Sequence, residues 1–303
     1  MAELCAQKLF EMTGRSAVIT GAGNGLGRMV ARGFVANGAT TLVLVDRNPT
    51  WLEDTRAQLL DISHQVSSTS TPTIHLVQGD LASEEELQRV ISETIAALAK
   101  GDEPGTLDVL VHCAGVRQIT PVTYTLGQSL DKLGESMRAL PYSALETSFR
   151  INLFAQYVLT AGLIEHLGRS ARQGGGRGNV ICFSSVASLH FGQFAPAYQT
   201  SKAAVNHLVV TMAAEFSEFY VRVNAISPGL FPSDMNPKDP SHPNYNNMAF
   251  EREMPARRAG TEQEMVATAL YLASAAGGYV TGQNLVVDGG RLLVMSGHIT
   301  DPS

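Results

Sequence analysis

Short, almost continuously apolar runs recur along the chain: Ser16-Ala17-Val18-Ile19-Thr20, Leu42-Val43-Leu44-Val45-Asp46, Ile74-His75-Leu76-Val77-Gln78 and Leu107-Asp108-Val109-Leu110-Val111. Three more follow at residues 179–183, 221–226 and 282–287. Strands that alternate apolar and polar have one wet face; runs as unbroken as these predict strands buried on both faces. Between them the period lengthens to that of a helix. Met29, Val30, Phe34 and Val35 form one such face, and Leu87, Val90, Ile91, Ile95 and Leu98 another. Leu145, Phe149, Leu153 and Tyr157 form a third, Val205, Leu208, Val209, Met212 and Phe216 a fourth, and Met265, Ala269 and Leu272 a fifth. Ser83 with Glu86, and Thr261 with Glu264, have the spacing of capping boxes at helix starts. Strand and helix in turn predict an α/β fold with a Rossmann-type, doubly wound parallel sheet and helices on both faces. With no internal repeat and no second boundary, residues 1–303 read as a single domain.

The breaks in this pattern are also informative. Residues 65–72 are polar and Ser/Thr-rich, and Gly174-Gly175-Gly176-Arg177-Gly178 is a surface turn. Residues 116–148 form an enlarged segment, expected to build an extra lobe on the substrate side. Residues 231–259 are proline-rich and are expected to form a substrate lid. Leu292 to Met295 are apolar, which implies a tail packed on its own pocket or on a neighbouring subunit.

At 44% hydrophobic and 17% charged residues, composition is that of a globular protein with a sizeable core. A net charge of −6 argues against nucleic acid or an anionic membrane as the main partner. Cys5, Cys113 and Cys182 lack metal-site or CxxC spacing and read as reduced thiols. No apolar run has the length of a membrane span, and Glu3 and Glu11 break any leader pattern, so a cytoplasmic location is expected.

Two stretches carry chemistry. The first strand runs directly into Gly21-Ala22-Gly23-Asn24-Gly25-Leu26-Gly27 and then a helix. That arrangement presents backbone N–H groups and a helix N-terminus to a pyrophosphate. Asp46, closing the second strand, suits a ribose diol and repels a 2′-phosphate, favouring NAD(H); Arg47 and Arg28 nearby keep NADP(H) open. The second stretch is Tyr198 and Lys202, one helical turn apart, with Ser185 upstream after the run ending at Phe183. An ammonium one turn away is expected to lower the phenol's pKa and make it a proton shuttle.

Together, Thr20-Gly21-xxx-Gly25-x-Gly27 with Ser185, Tyr198 and Lys202 resembles the short-chain dehydrogenase/reductase family, over roughly residues 9–291. The resemblance implies a catalytic set of Asn152, Ser185, Tyr198 and Lys202. It implies cofactor contacts from Gly21, Asn24, Gly25, Leu26, Gly27, Asp46, Arg47, Asp80, Leu81, Ala114, Gly115, Tyr198, Lys202, Pro228, Gly229, Phe231 and Ser233. His112-Cys113 stands where the family usually has Asn-Asn; with no partner ligands at suitable spacing, no metal is expected and a structural role is favoured. Leu230-Phe231-Pro232-Ser233 is similar to the rhamnolipid-type 3-oxoacyl reductase branch. The implied activity is hydride transfer between a nicotinamide and a small secondary alcohol or ketone, by a homodimer or homotetramer. A non-redox isomerase, dehydratase or cyclase on the same scaffold, and a non-catalytic NAD-binding sensor, are the competing readings.

Overall fold

Seven parallel strands make one sheet in the order β3-β2-β1-β4-β5-β6-β7. They are β1 (Ser16–Thr20), β2 (Thr41–Asp46), β3 (Thr73–Gln78), β4 (Val109–His112), β5 (Asn179–Phe183), β6 (Arg222–Pro228) and β7 (Asn284–Val287). The computed structural model describes residues 4–66, 71–99, 101, 103–122, 124–125, 127–190, 195–239, 241, 252 and 254–294.

Successive side chains leave the strands on opposite faces, and this divides the core in two. Val18, Val43, Val45 and Leu110 face one cluster; Ala17, Ile19, Leu42, Leu44, Val109 and Val111 face the other. Helices α2 (Gly25–Ala36) and α3 (Pro49–Gln65) cover the second face together with α9 (Glu262–Ala273). Helices α4 (Glu84–Leu98), α7 (Ala155–Ala171) and α8 (Pro196–Glu215) cover the first. A short α1 (Ala6–Phe10), α5 (Leu130–Ala139), α6 (Tyr142–Phe149) and α10 (Arg291–Val294) complete the helices used below. Strand order reverses between β1 and β4, which opens a crevice at their carboxyl ends, the usual ligand position in such sheets.

Several sequence expectations shift in detail. β4 begins two residues later than the run from Leu107. Asp108 is instead a knot: its carboxylate accepts from the Ser16 N–H at 2.7 Å and pairs with Arg177 at 2.7 Å. Thr261 and Glu264 form a complete capping box at α9. At α4 only half of one forms. Ser83 Oγ accepts from the Glu86 N–H, but the Ser83 N–H goes to the Asp80 carbonyl and the Glu86 carboxylate to Arg89.

The Leu145, Phe149, Leu153, Tyr157 stripe is not the buried face. A π-helical turn, Arg150–Phe154, separates α6 from α7, and Ala155 N–H donates to Arg150 O across the wider loop. Ala144, Ser148 and Asn152 are turned inward, while Tyr157 is 55% exposed. The Val205, Val209 and Met212 stripe of α8 is core, with Leu208 and Phe216 packed against it. In the tail, Leu293 is 87% exposed, so it does not fill a pocket of its own chain; Met295 lies outside the described residues. The enlarged segment contains α5 and α6. Of the expected lid, residues 240, 242–251 and 253 lie outside the described residues, as do 67–70 of the expected polar loop.

Candidate functional site

The crevice holds a cavity of about 580 Å³ that runs from the β2 and β3 ends to the β5–α8 region. It begins where β1 turns into α2. Gly21 has φ +65°, and a Cβ there would stand 2.7 Å from the Ala114 nitrogen. At Gly27 a Cβ would strike the Gly21 carbonyl. Only glycine lets the backbone fold this closely, and the room so left is a cradle for a ligand. Asn24 caps α2 by accepting from the Gly25 N–H, and its Nδ2 donates to Asp234 Oδ2 at 2.5 Å. The segment after β6 therefore lies over the glycine turn, with Ser233 against Gly25.

Asp46 is held in place at the end of β2. One carboxylate oxygen accepts from the Gly23 N–H and the other from the Asn48 N–H, both at 3.0 Å. Arg28 does not reach the cavity rim. Its Nη2 donates to the Gly23 carbonyl and its Nε to Thr55 Oγ1, so it braces the turn from below. Arg47 is exposed on the rim. Asp80 and Leu81 line the same end, Asp80 accepting from the Ala82 N–H. The glycine cradle, the N-terminus of a twelve-residue helix and a fixed carboxylate fit a dinucleotide.

At the other end Ala114, Gly115, Ser185, Tyr198, Lys202, Pro228, Gly229, Phe231 and Ser233 all line the cavity. Ser185 caps the short turn after β5, accepting from the Ala187 N–H at 3.1 Å. The Tyr198 phenol lines the same end of the cavity. Burial pushes the phenol above its ordinary value; the Ser185 hydroxyl and the Arg117 guanidinium pull it back. Lys202, one turn along α8 from Tyr198, stands at the same end of the cavity. Its ammonium donates to the Phe183 carbonyl at 2.7 Å, and it lies 6.0 Å from the Tyr198 ring centroid. Burial lowers Lys202 to about 8, with Cys113 and Cys182 raising it.

Asn152, fully buried at the π-turn, accepts from the Val116 N–H at 2.8 Å and donates to the Val116 carbonyl and to Ser201 Oγ. It clamps the loop after β4 onto α8. His112 is also core: it meets Thr160 Oγ1 at 2.9 Å, and burial, then Lys202, hold it at about 3, hence neutral. Burial pushes the Cys113 thiol up, with Lys202 opposing. No cluster of three metal-ligating side chains occurs among the described residues. Nor is any described helix long and apolar enough to cross a membrane.

A family description, enoyl-(acyl carrier protein) reductase, matches residues 21–291. The chain belongs to the short-chain dehydrogenase/reductase family. Short-chain dehydrogenase/reductase PhomF of Diaporthe leptostromiformis is 30% identical, with 96% of each chain covered. The rhamnolipids biosynthesis 3-oxoacyl-[acyl-carrier-protein] reductase of Pseudomonas aeruginosa is 30% identical, covering 93% of this chain and 97% of the relative. The solved Pseudomonas aeruginosa RhlG/NADP active-site complex superposes with a TM-score of 0.71 at 29% identity, covering 93% and 97%. This short-chain dehydrogenase/reductase is thus kin to enzymes using NAD and to enzymes using NADP.

Sequence reasoning missed Arg117, along with Val116, Ile119, Val186 and Arg291, all lining the cavity. Arg117 stands two positions past Gly115, and proximity to that motif was the only signal available.

Proposed function

We propose that this protein interconverts a secondary alcohol and a ketone by hydride transfer, with NAD(H) as cofactor and Tyr198 as proton donor and acceptor. One observation carries the reading: Ser185, Tyr198 and Lys202 line one cavity together with a glycine cradle and Asp46. When bound, the nicotinamide supplies or accepts the hydride.

The chain's own groups do the rest. Ser185 hydrogen-bonds the substrate oxygen and holds it against the phenol. Tyr198 gives a proton to that oxygen as the ketone is reduced and takes it back as the alcohol is oxidised. Lys202, fixed by the Phe183 carbonyl, holds the nicotinamide ribose and supplies positive charge on the cavity floor. Asn152 keeps Val116 and Ser201 in register, so that the loop after β4 and helix α8 stay in line. A change in absorbance of the reduced nicotinamide, matched mole for mole by ketone consumed, tests the reading across a panel of ketones and alcohols. Ketone conversion without that change would assign the site to non-redox chemistry.

The cofactor preference rests on Asp46. Its carboxylate is fixed where a ribose diol would lie, and Arg28 is committed to Gly23 and Thr55 instead of the rim. Asp46→Asn should weaken NADH binding about tenfold, as one charge-assisted acceptor is lost. NADPH should gain relative to NADH, with both dissociation constants read by nicotinamide fluorescence. An unchanged ratio would remove Asp46 from cofactor choice.

A homo-oligomer is supported by an apolar groove of about 790 Å³ between α4, α7 and α8, lined by Leu87, Leu153, Phe154, Tyr157 and Leu208.

A further inference from the structure

Trp51 lines the β2–β3 end of the cavity beside Asp46, and none of the proposed steps uses it. It is the chain's one tryptophan and stands half-buried in the first turn of α3. Its side chain is seated against the glycine turn. A Cβ added at Gly23 would lie 2.9 Å from the Trp51 Cβ and 2.9 Å from the Asp46 carboxylate carbon. Gly23, Asp46 and Trp51 therefore close a corner in which Gly23 has no room even for a methyl group. Arg28 and Thr55 seal it from below, both donating to the Gly23 carbonyl.

A 2′-phosphate, which sets NADP apart from NAD, leaves the ribose on the side that the acidic residue after the second strand meets. Charge alone makes a blunt choice there. Asp46 repels a phosphate, but its oxygens already accept from the Gly23 and Asn48 N–H groups, and Arg47 stands exposed on the same rim. Space and donors make a sharper one. A helix N-terminus ordinarily offers free N–H groups to an anion, but those of the first turn of α3 are spent. Pro49 has no N–H, Thr50 and Trp51 donate to Asn48 Oδ1, and Leu52 donates to the Asn48 carbonyl. A phosphate brought beside Asp46 would thus meet an indole where it needs space and committed donors where it needs hydrogen bonds.

We propose that Trp51 is a specificity-determining residue for the cofactor: its indole fills the space beside Asp46 that a 2′-phosphate would occupy, and so admits NAD(H) and turns NADP(H) away. The proposal rests on the cofactor reading above and adds to it a steric cause separate from the Asp46 charge. Among the described residues the indole N–H has no hydrogen-bond partner, so truncating the side chain leaves none of them orphaned. With the indole gone, the corner opens towards Arg47, whose planar fork of donors suits a phosphate.

The test uses the full chain and two probes that carry no nicotinamide, ADP-ribose and 2′-phospho-ADP-ribose, so calorimetry reads binding without turnover. The wild type should bind ADP-ribose at least about tenfold more tightly than the phosphorylated probe. Trp51→Ala should narrow that preference to about threefold or less, chiefly by tightening the phosphorylated probe, with Trp51→Phe in between. Asp46 stays intact throughout, and Trp51→Val gives the same reading if melting curves show that the alanine variant does not fold. Equal affinities in the wild type, or a preference unchanged in a folded truncation, would overturn the proposal. An equal loss of both probes counts as unchanged and would leave Trp51 a wall common to both cofactors. Uptake of ADP-ribose without a Trp51-dependent preference sinks this proposal alone, whereas no uptake of ADP-ribose or of either coenzyme sinks the hydride-transfer reading with it.

Discussion

Replacing Tyr198 by phenylalanine is expected to lower kcat about a thousandfold while leaving affinity for the reduced nicotinamide essentially unchanged. The ring and its packing survive; what is lost is one hydroxyl that faces Ser185 across the cavity. General acid–base transfer by a positioned group is worth about 10²- to 10⁴-fold, and the phenol is the only proton donor the reading assigns to the substrate oxygen. Steady-state rates and nicotinamide fluorescence separate the two quantities. If Tyr198→Phe keeps most of its turnover, the proton moves through another group and the proposed mechanism fails.

Lys202→Met should abolish most activity and yet stabilise the cofactor-free protein at neutral pH. Lys202 is 3% exposed and its pKa falls from 10.5 to about 8 on burial. Between those values the unfolded chain holds more protons than the folded one, so the Lys202 contribution to stability rises with pH from about 8 to about 10.5. Below pH 8 the folded protein bears the full cost of a buried ammonium, on the order of 3 kcal/mol from the size of the shift. Methionine removes that cost but leaves the Phe183 carbonyl without its donor, a loss of about 1 kcal/mol. Net stabilisation of about 2 kcal/mol is expected at pH 7, falling to about zero near pH 10 and turning into a loss of about 1 kcal/mol at higher pH. Denaturant titrations of both proteins at pH 7 and pH 10 decide it. A variant less stable at pH 7, or a difference independent of pH, would show that Lys202 is not held at a loss.

Much of this could be read from the sequence because its causes are local. A strand buried on both faces must be apolar throughout, so the runs at Leu42 and Val180 announce themselves. Gly27 is dictated by backbone approach within one turn, and Gly21 by its positive φ in that turn. Tyr198 and Lys202 share a helix, so their common face follows from spacing. The electrostatics were another matter. Spacing put Lys202 on the face of Tyr198, but not its bond to the Phe183 carbonyl on a neighbouring strand, nor the arrival of Arg117 from the β4 loop at the same end of the cavity. Such pairings are made by tertiary packing between distant segments, which periodicity does not encode. Arg28 likewise looked available to a phosphate until the turn folded back onto it.

The wide turn at Arg150–Phe154 has a consequence for how this gene can change. One surplus residue there advances the helical phase by about 100°, and α6 and α7 each meet their neighbours only because of that offset. Substitutions along the segment outside Asn152 are therefore tolerable, whereas deleting a single codon would wind the helix evenly and rotate one flank off its seat. Either Ala144 and Ser148 or Leu159 and Leu163 would then face water, so chain length between these helices should drift far less than residue identity.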